Sequence, residues 1–173
     1  MRFFLLVVAL SGFPLFHGCS PTFNWRDVRP DQTPLSALFP CKPDQGARRV
    51  SLGAKEVTMT MLGCHAGAAT FTLAYADTKD VASTGAVLGH WKLATLGTMR
   101  AQASSELPFL PKGASILPQS VQVQAMGVRP DGTAMAAQAV WFAVGSLVFQ
   151  AAIYADTISP AVAETYFSGL RLP

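Results

Sequence analysis

The chain has 173 residues and a formal charge of +3; half of its residues are apolar and only 13% are charged. That balance argues against disorder, and so small a basic surplus argues against a nucleic-acid surface. Removing the first 18 of the 173 residues leaves 155, enough for one domain with its own core.

The chain opens with MRFFLLVVALSGFPLFHG. Arg2 supplies a positive start, and Phe3 to Leu10 form a short apolar run, as in an export leader. Cys19 follows the small residue Gly18. A cysteine at that point resembles the lipid-modified cysteine of a bacterial lipoprotein signal, although Phe16 and His17 stand where that family usually carries Leu and a small residue. The resemblance implies a signal peptide over residues 1–18, acyl chains on Cys19, and a membrane contact made through that lipid. Ser20 in the next position, in place of Asp, implies the outer membrane with the domain facing the periplasm. The alternatives are ordinary secretory cleavage nearby or a retained anchor.

Residues 19–34 are rich in Pro with mixed charge and predict a tether. Trp25, Arg26 and Arg29 could meet a membrane interface, but Asp27 and Asp31 beside them leave little net attraction. Phe23 and Trp25 folding back onto the domain is the simpler expectation. A single domain is expected over residues 35–173.

Within it, ARRVSL, EVTMTMLGC and AATFTLAYAD predict three antiparallel strands. In the second, Val57, Met59 and Met61 alternate with Thr58 and Thr60; in the third, Phe71, Leu73 and Tyr75 share a face. From Thr78 to Ala103 the period becomes helical, with Val81, Leu88, Trp91 and Met99 near one stripe. Gly85 and Gly89 suggest close packing of that helix on the sheet. The Pro-rich stretch from Ser104 to Gln119 reads as a long loop. VQVQAMGV, AMAAQAVWFAV and LVFQAAIYA predict three more strands, the first two joined by a Pro-Asp-Gly turn and the last two by Gly145 and Ser146. SPAVAETYFSGLRL predicts a closing helix with Ser159 as its N-cap and Val162, Tyr166 and Phe167 inward. Ala134 to Ala155 is apolar enough to weigh as a membrane span, but Gln138, Gly145, Ser146 and Gln150 interrupt it. The expected fold class is α+β, an antiparallel sheet of about six strands in the order β-β-β-α-β-β-β-α with helices packed on it.

Cysteine arithmetic isolates Cys41 and Cys64 once Cys19 is assigned to lipid. In an oxidising compartment the default for such a pair is a disulfide; free buried thiols are the alternative. Counting outward from a hairpin centred on Gly53 and Ala54 places Cys64 opposite Pro43, close to Cys41.

The opening LFPCKPDQGARRV, the strand-rich middle and the ending AETYFSGLRL resemble the α/β/α sandwich of the PsbP-like superfamily over residues 35–172. The run CSPTFNWR, Cys19 to Arg26, is similar to an uncharacterised group of Gram-negative envelope lipoproteins. Neither resemblance transfers a catalytic or binding residue.

Motifs for chemistry are sparse. His65 and His90 have no HExxH spacing, and there is no Gly-x-Ser-x-Gly elbow or phosphate-binding loop. Asp77 and Asp80 form a carboxylate pair at a strand-to-helix junction, where capping explains them. No catalytic, cofactor or metal residues are expected. The expected function is a non-catalytic, lipid-anchored envelope protein that binds a partner protein or supports assembly. The alternative is a small-molecule-binding or hydrolytic module with a pocket under the 104–119 segment.

Overall fold

The computed structural model describes residues 22–173. Two short strands come first, β1 (Arg26–Val28) and β2 (Ala37–Phe39), paired as a small antiparallel sheet. Three long strands follow: β3 (Asp44–Leu52), β4 (Lys55–Ala66) and β5 (Ala69–Asp77). A 3-10 turn (Val81–Ser83) leads into helix α1 (Thr84–Thr98). Then come β6 (Gln102–Pro108), β7 (Val121–Val128), β8 (Ala134–Val144), β9 (Leu147–Ala155) and helix α2 (Pro160–Ser168). The main sheet has seven strands in the order β3-β4-β5-β9-β8-β7-β6, antiparallel throughout. It is two meanders joined along β5 and β9, and the connection through α1 carries the chain from the centre of the sheet to its far edge.

The expected α+β class with about six strands is overturned. Seven strands in one sheet and two in another, against two helices, make the molecule predominantly β, richer in strand than an α/β/α sandwich. The miss has two sources. QASSELP forms β6 across the end of the expected helix and the start of the expected loop, and as an edge strand it is mostly exposed, so it carries no apolar alternation to detect. The expected tether supplies β1, which the sequence did not signal, while its rings fold back onto the domain as expected: Phe23 and Trp25 both meet Phe71 edge-on at centroid distances of 6.3 Å. The helix is also shorter than expected. It ends at Thr98, and the chain reverses through Arg100 in the left-handed region at φ 47°. Val81 lies outside it and is exposed, while Thr84, Val87, Leu88 and Trp91 are buried.

The two helices cover opposite faces of the main sheet. Under α1 lie small side chains, Ala74, Ala76, Ala139, Ala143 and Ala152, around Trp141, so the helix backbone can approach the sheet. Gln150 is buried on this face and its amide donates to the Thr95 hydroxyl at 2.8 Å. Gly85 and Gly89 do not touch the sheet. Their open sides receive Gln119 of the preceding β7 connection.

The other face holds the aromatic core. Phe142 and Phe149 stack across β8 and β9 at 5.0 Å, and Tyr166 of α2 meets Phe39 and Phe71 at 5.6 and 5.2 Å. At the end of α2, Gly169 passes Leu38 of β2 so closely that no Cβ would fit. The helix is thereby locked onto the small sheet.

The covered regions are offset along the strands. On β4, Val57 and Met59 are buried under α1, whereas Leu62, Cys64 and Ala66 are buried on the aromatic face. Met61 shares the face of Val57 and Met59 but lies at the margin of the helix, and it is 42% exposed. The expectation of one buried face for Val57, Met59 and Met61 holds only for the first two. Ala134 to Ala155 forms the β8–β9 hairpin at the centre of the sheet, and from Ala139 to Ala143 and along most of β9 it is buried on both faces. No helix among the described residues is long and apolar enough to cross a membrane.

Cys41 and Cys64 form a disulfide with their Cα atoms 6.1 Å apart. The turn at Gly53 (φ +64°) closes the β3–β4 hairpin with Leu52 opposite Lys55, and Asp44 pairs with Gly63. That register puts Cys64 level with Pro43, as counted from the sequence. The bond staples the segment leaving β2 to the far end of β4.

Candidate functional site

A groove of about 580 Å³ runs between α2 and the β6–β8 half of the sheet. Its size falls in the range of small-molecule sites. The floor is built by strand alternation. Val121, Val123 and Ala125 of β7 turn into the core under α1, which directs Gln122, Gln124 and Met126 to the opposite face. On β8 the same period presents Ala136 and Gln138. The register pairs Gln124 with Gln138 and Met126 with Ala136. Cross-strand neighbours of this kind stand about 5 Å apart at Cβ, so the Gln124 and Gln138 amides form one polar strip with Gln122 next along β7.

The wall is helical. Pro160, Ala163, Glu164 and Phe167 of α2 recur at spacings of three and four and so share one stripe facing the floor. Pro160 at the first helical position presets the backbone without removing a needed hydrogen bond. Ile158 closes one end. Phe109 packs between Phe142 and Phe167, at 6.0 and 6.4 Å, and closes the other. Ser104 contributes from β6, where a bulge between Ala103 and Ser105 turns the strand and the Ser104 hydroxyl donates to the Gln124 carbonyl at 3.1 Å. The groove therefore has an apolar frame, a neutral polar floor and one carboxylate, Glu164.

The residues singled out from the sequence fall elsewhere. Cys19 lies outside the described residues. Cys41 and Cys64 are joined and so hold no metal. His65 is exposed on β4 with its Nδ1 2.9 Å from the Thr70 hydroxyl, and His90 is exposed on α1. No cluster of three His, Cys, Asp or Glu side chains able to hold a metal occurs among the described residues.

Asp77 and Asp80 serve structure. Asp77 accepts from the Lys79 backbone amide at 2.8 Å and from its ammonium at 2.7 Å. Asp80 caps the 3-10 turn through the Ala82 amide and pairs with Lys55 at 3.1 Å. The hydrogen bond from Lys79 holds the Asp77 carboxyl below its ordinary pKa, and that from Lys55 does the same for Asp80. Both are anions at neutral pH, poorly suited to donate a proton.

Sequence reasoning missed the three glutamines. The alternation on VQVQAMGV was visible, but polar residues at every second position read as a solvent face. Only the return of α2 over that face turns it into a floor.

No family model matches the chain, and no curated protein matches it. Solved structures that resemble it distantly include these two. One is a Pseudomonas aeruginosa protein of unknown function, PA94, at 11% identity and a TM-score of 0.38, covering 80% of this chain and 85% of that one. The other is a Bacteroides thetaiotaomicron protein at 12% identity and a TM-score of 0.42, covering 80% of this chain and 45% of that one. Likenesses at this level carry no argument about function.

Proposed function

We propose that the protein is a non-catalytic binding module of the cell envelope. It is held to the outer membrane through acylated Cys19, and its α2 groove takes a neutral ligand with an apolar body and amide or hydroxyl groups. The observation that supports the binding role is the convergence of Gln122, Gln124 and Gln138 beneath Phe109, Ile158 and Phe167. Glutamine amides donate and accept at once and carry no charge, so they match neutral groups that do the same. This favours a small ligand over the partner-protein alternative.

The anchor and the groove are tested separately. Intact mass of the native protein should begin at Cys19 with added acyl chains, and Cys19→Ala should release the protein from membranes. Retention of residues 1–18, or a variant that stays membrane-bound, overturns the anchor.

For the groove, Nile red serves as a neutral apolar probe and benzamide as an amide-bearing competitor. Ala136→Trp places an indole on the floor and should weaken dye binding about tenfold, the effect expected from blocking a mostly apolar site. Gln124→Leu with Gln138→Leu should keep the dye and lose competition by benzamide. A wild-type protein that binds neither probe, or an Ala136→Trp variant that binds as well as wild type, ends the proposal.

A further inference from the structure

The main sheet ends in two unlike edges. β6 is blunted by its bulge, by Pro108, and by Lys92 of α1, which reaches over to Glu106 at 2.7 Å. Such features are how sheets avoid pairing with other chains. β3 has no bulge, no proline and, among the described residues, no side chain reaching over it; its charges are Asp44, Arg48 and Arg49. It runs nine residues from Asp44 to Leu52 in unbroken register with β4, and from Asp44 to Arg49 every residue is exposed.

Its unpaired backbone groups can be assigned. The two-residue turn makes Leu52 and Lys55 a hydrogen-bonded pair, and bonded pairs alternate along an antiparallel ladder. Val50, Arg48, Gly46 and Asp44 are therefore bonded to β4. Gln45, Ala47, Arg49 and Ser51 turn their amides and carbonyls outward. No backbone hydrogen bond from elsewhere in the described residues reaches them.

We propose that β3 pairs antiparallel with β3 of a second copy of this chain, about a two-fold axis through Gly46. A two-fold pairing of outward-facing groups permits few registers. Centring on Arg48 opposes like charges. Centring on Ala47 sets Asp44 against Val50 and Arg48 against Gly46, leaving both charges unmatched. Centring on Gly46 sets Asp44 opposite the second copy's Arg48, and Arg48 opposite its Asp44. Gln45 and Ala47 then exchange backbone hydrogen bonds with the other copy's Ala47 and Gln45. The ion pairs fall at non-hydrogen-bonded positions, where side chains are closest. Among the described residues, neither Asp44 nor Arg48 has an ion-pair partner within its own chain.

The surface beside the axis fits the same arrangement. A hollow of about 670 Å³ lies along this edge, lined by Asp44, Gly46, Arg48 and the exposed Met61. Gly46 leaves open space at the axis, with nothing within 4 Å of where a Cβ would stand. Met61 lies directly across the ladder from Gly46, so the Met61 side chains of the two copies flank the open strip over the paired glycines on either side. A self-complementary patch of this kind is what a two-fold interface requires.

The test uses the full chain in its native membrane. Gly46→Cys places two thiols at the axis and should give a disulfide-linked dimer of twice the chain mass, mapped by mass spectrometry to position 46 in both copies. Arg49→Cys, opposite Pro43 in this register, should give none. In the Gly46→Cys background, Asp44→Arg or Arg48→Asp alone opposes like charges and should cut the dimer about tenfold or more. The double reversal should restore it, which also excludes misfolding as the cause of the loss. A monomer with a free thiol at 46, indifference to the charge reversals, or a cross-link to a different protein overturns the proposal. The α2 groove lies at the other end of the sheet, so its probes bind or fail independently.

Discussion

Tyr166→Ala should destabilise the domain by about 4 kcal/mol, the middle of the range for removal of a buried aromatic side chain. Tyr166 is fully buried. Its ring meets Phe39 of β2, Phe71 of β5 and Phe167 beside it on α2. Its hydroxyl donates to the Thr72 carbonyl at 2.8 Å. One side chain thus joins the closing helix, the small sheet and the centre of the main sheet. Truncation leaves a cavity that none of the three can fill without moving. Tyr166→Phe isolates the hydroxyl and should cost about 1 kcal/mol.

Burial raises the Tyr166 phenol well above its ordinary pKa, with a smaller contribution from Tyr154. A raised folded value means that the folded state holds the proton more tightly. The contribution is complete below the ordinary phenol pKa of about 10 and is lost as pH rises through the folded value. Urea denaturation at constant m-value measures both variants. An alanine variant no less stable than the phenylalanine one would remove Tyr166 from its place at the junction.

Opening the Cys41–Cys64 bond should cost about 3 kcal/mol in the chain-entropy model, for a closed loop of this length. The two residues are 23 apart in sequence, and the loop contains all of β3 and most of β4. Cys41 leaves β2 just before the chain turns into the exposed edge strand, so the bond holds both the small sheet and the start of β3 to β4. Cys41→Ser with Cys64→Ser should unfold at correspondingly lower urea than wild type, while dithiothreitol should make no difference to the variant. Thiol titration of the denatured, unreduced protein should find neither cysteine free. Two reactive thiols there, or equal stability of variant and wild type, would show that the bond contributes nothing.

Much of the sheet was legible because burial follows the period of two. β4, β5 and β7 emerged from alternation, the β3–β4 register from a Gly-centred turn, β8 and β9 as apolar runs between turn signals, and α2 from Ser159, Pro160 and its aromatic stripe. What stayed hidden had no local signature. β6 is a polar edge strand held by its ladder to β7 and by the Lys92–Glu106 pair. β1 and β2 are three residues each and exist because Phe23, Trp25 and Phe39 find the aromatic core. Met61 misled because a strand covered on one face at one end and on the other face at the other end breaks the link between alternation and burial. The groove needed the return of α2, a long-range event that no window on β7 or β8 contains.

The docking of Phe23 sets the length of any leash. Thr22 and Phe23 lie against the β4–β5 turn, 3.1 and 3.7 Å from where a Cβ on Gly67 would stand. Four peptide steps separate Cys19 from Phe23, and an extended chain spans at most about 14 Å over that distance. An acyl group on Cys19 would therefore hold the domain as a stud on the bilayer, with the β4–β5 turn toward the lipid headgroups. Such a protein does not search the periplasm on a flexible arm. Anchored in that way, it would meet a ligand only at the membrane surface, and lateral diffusion in two dimensions would set how often two copies meet.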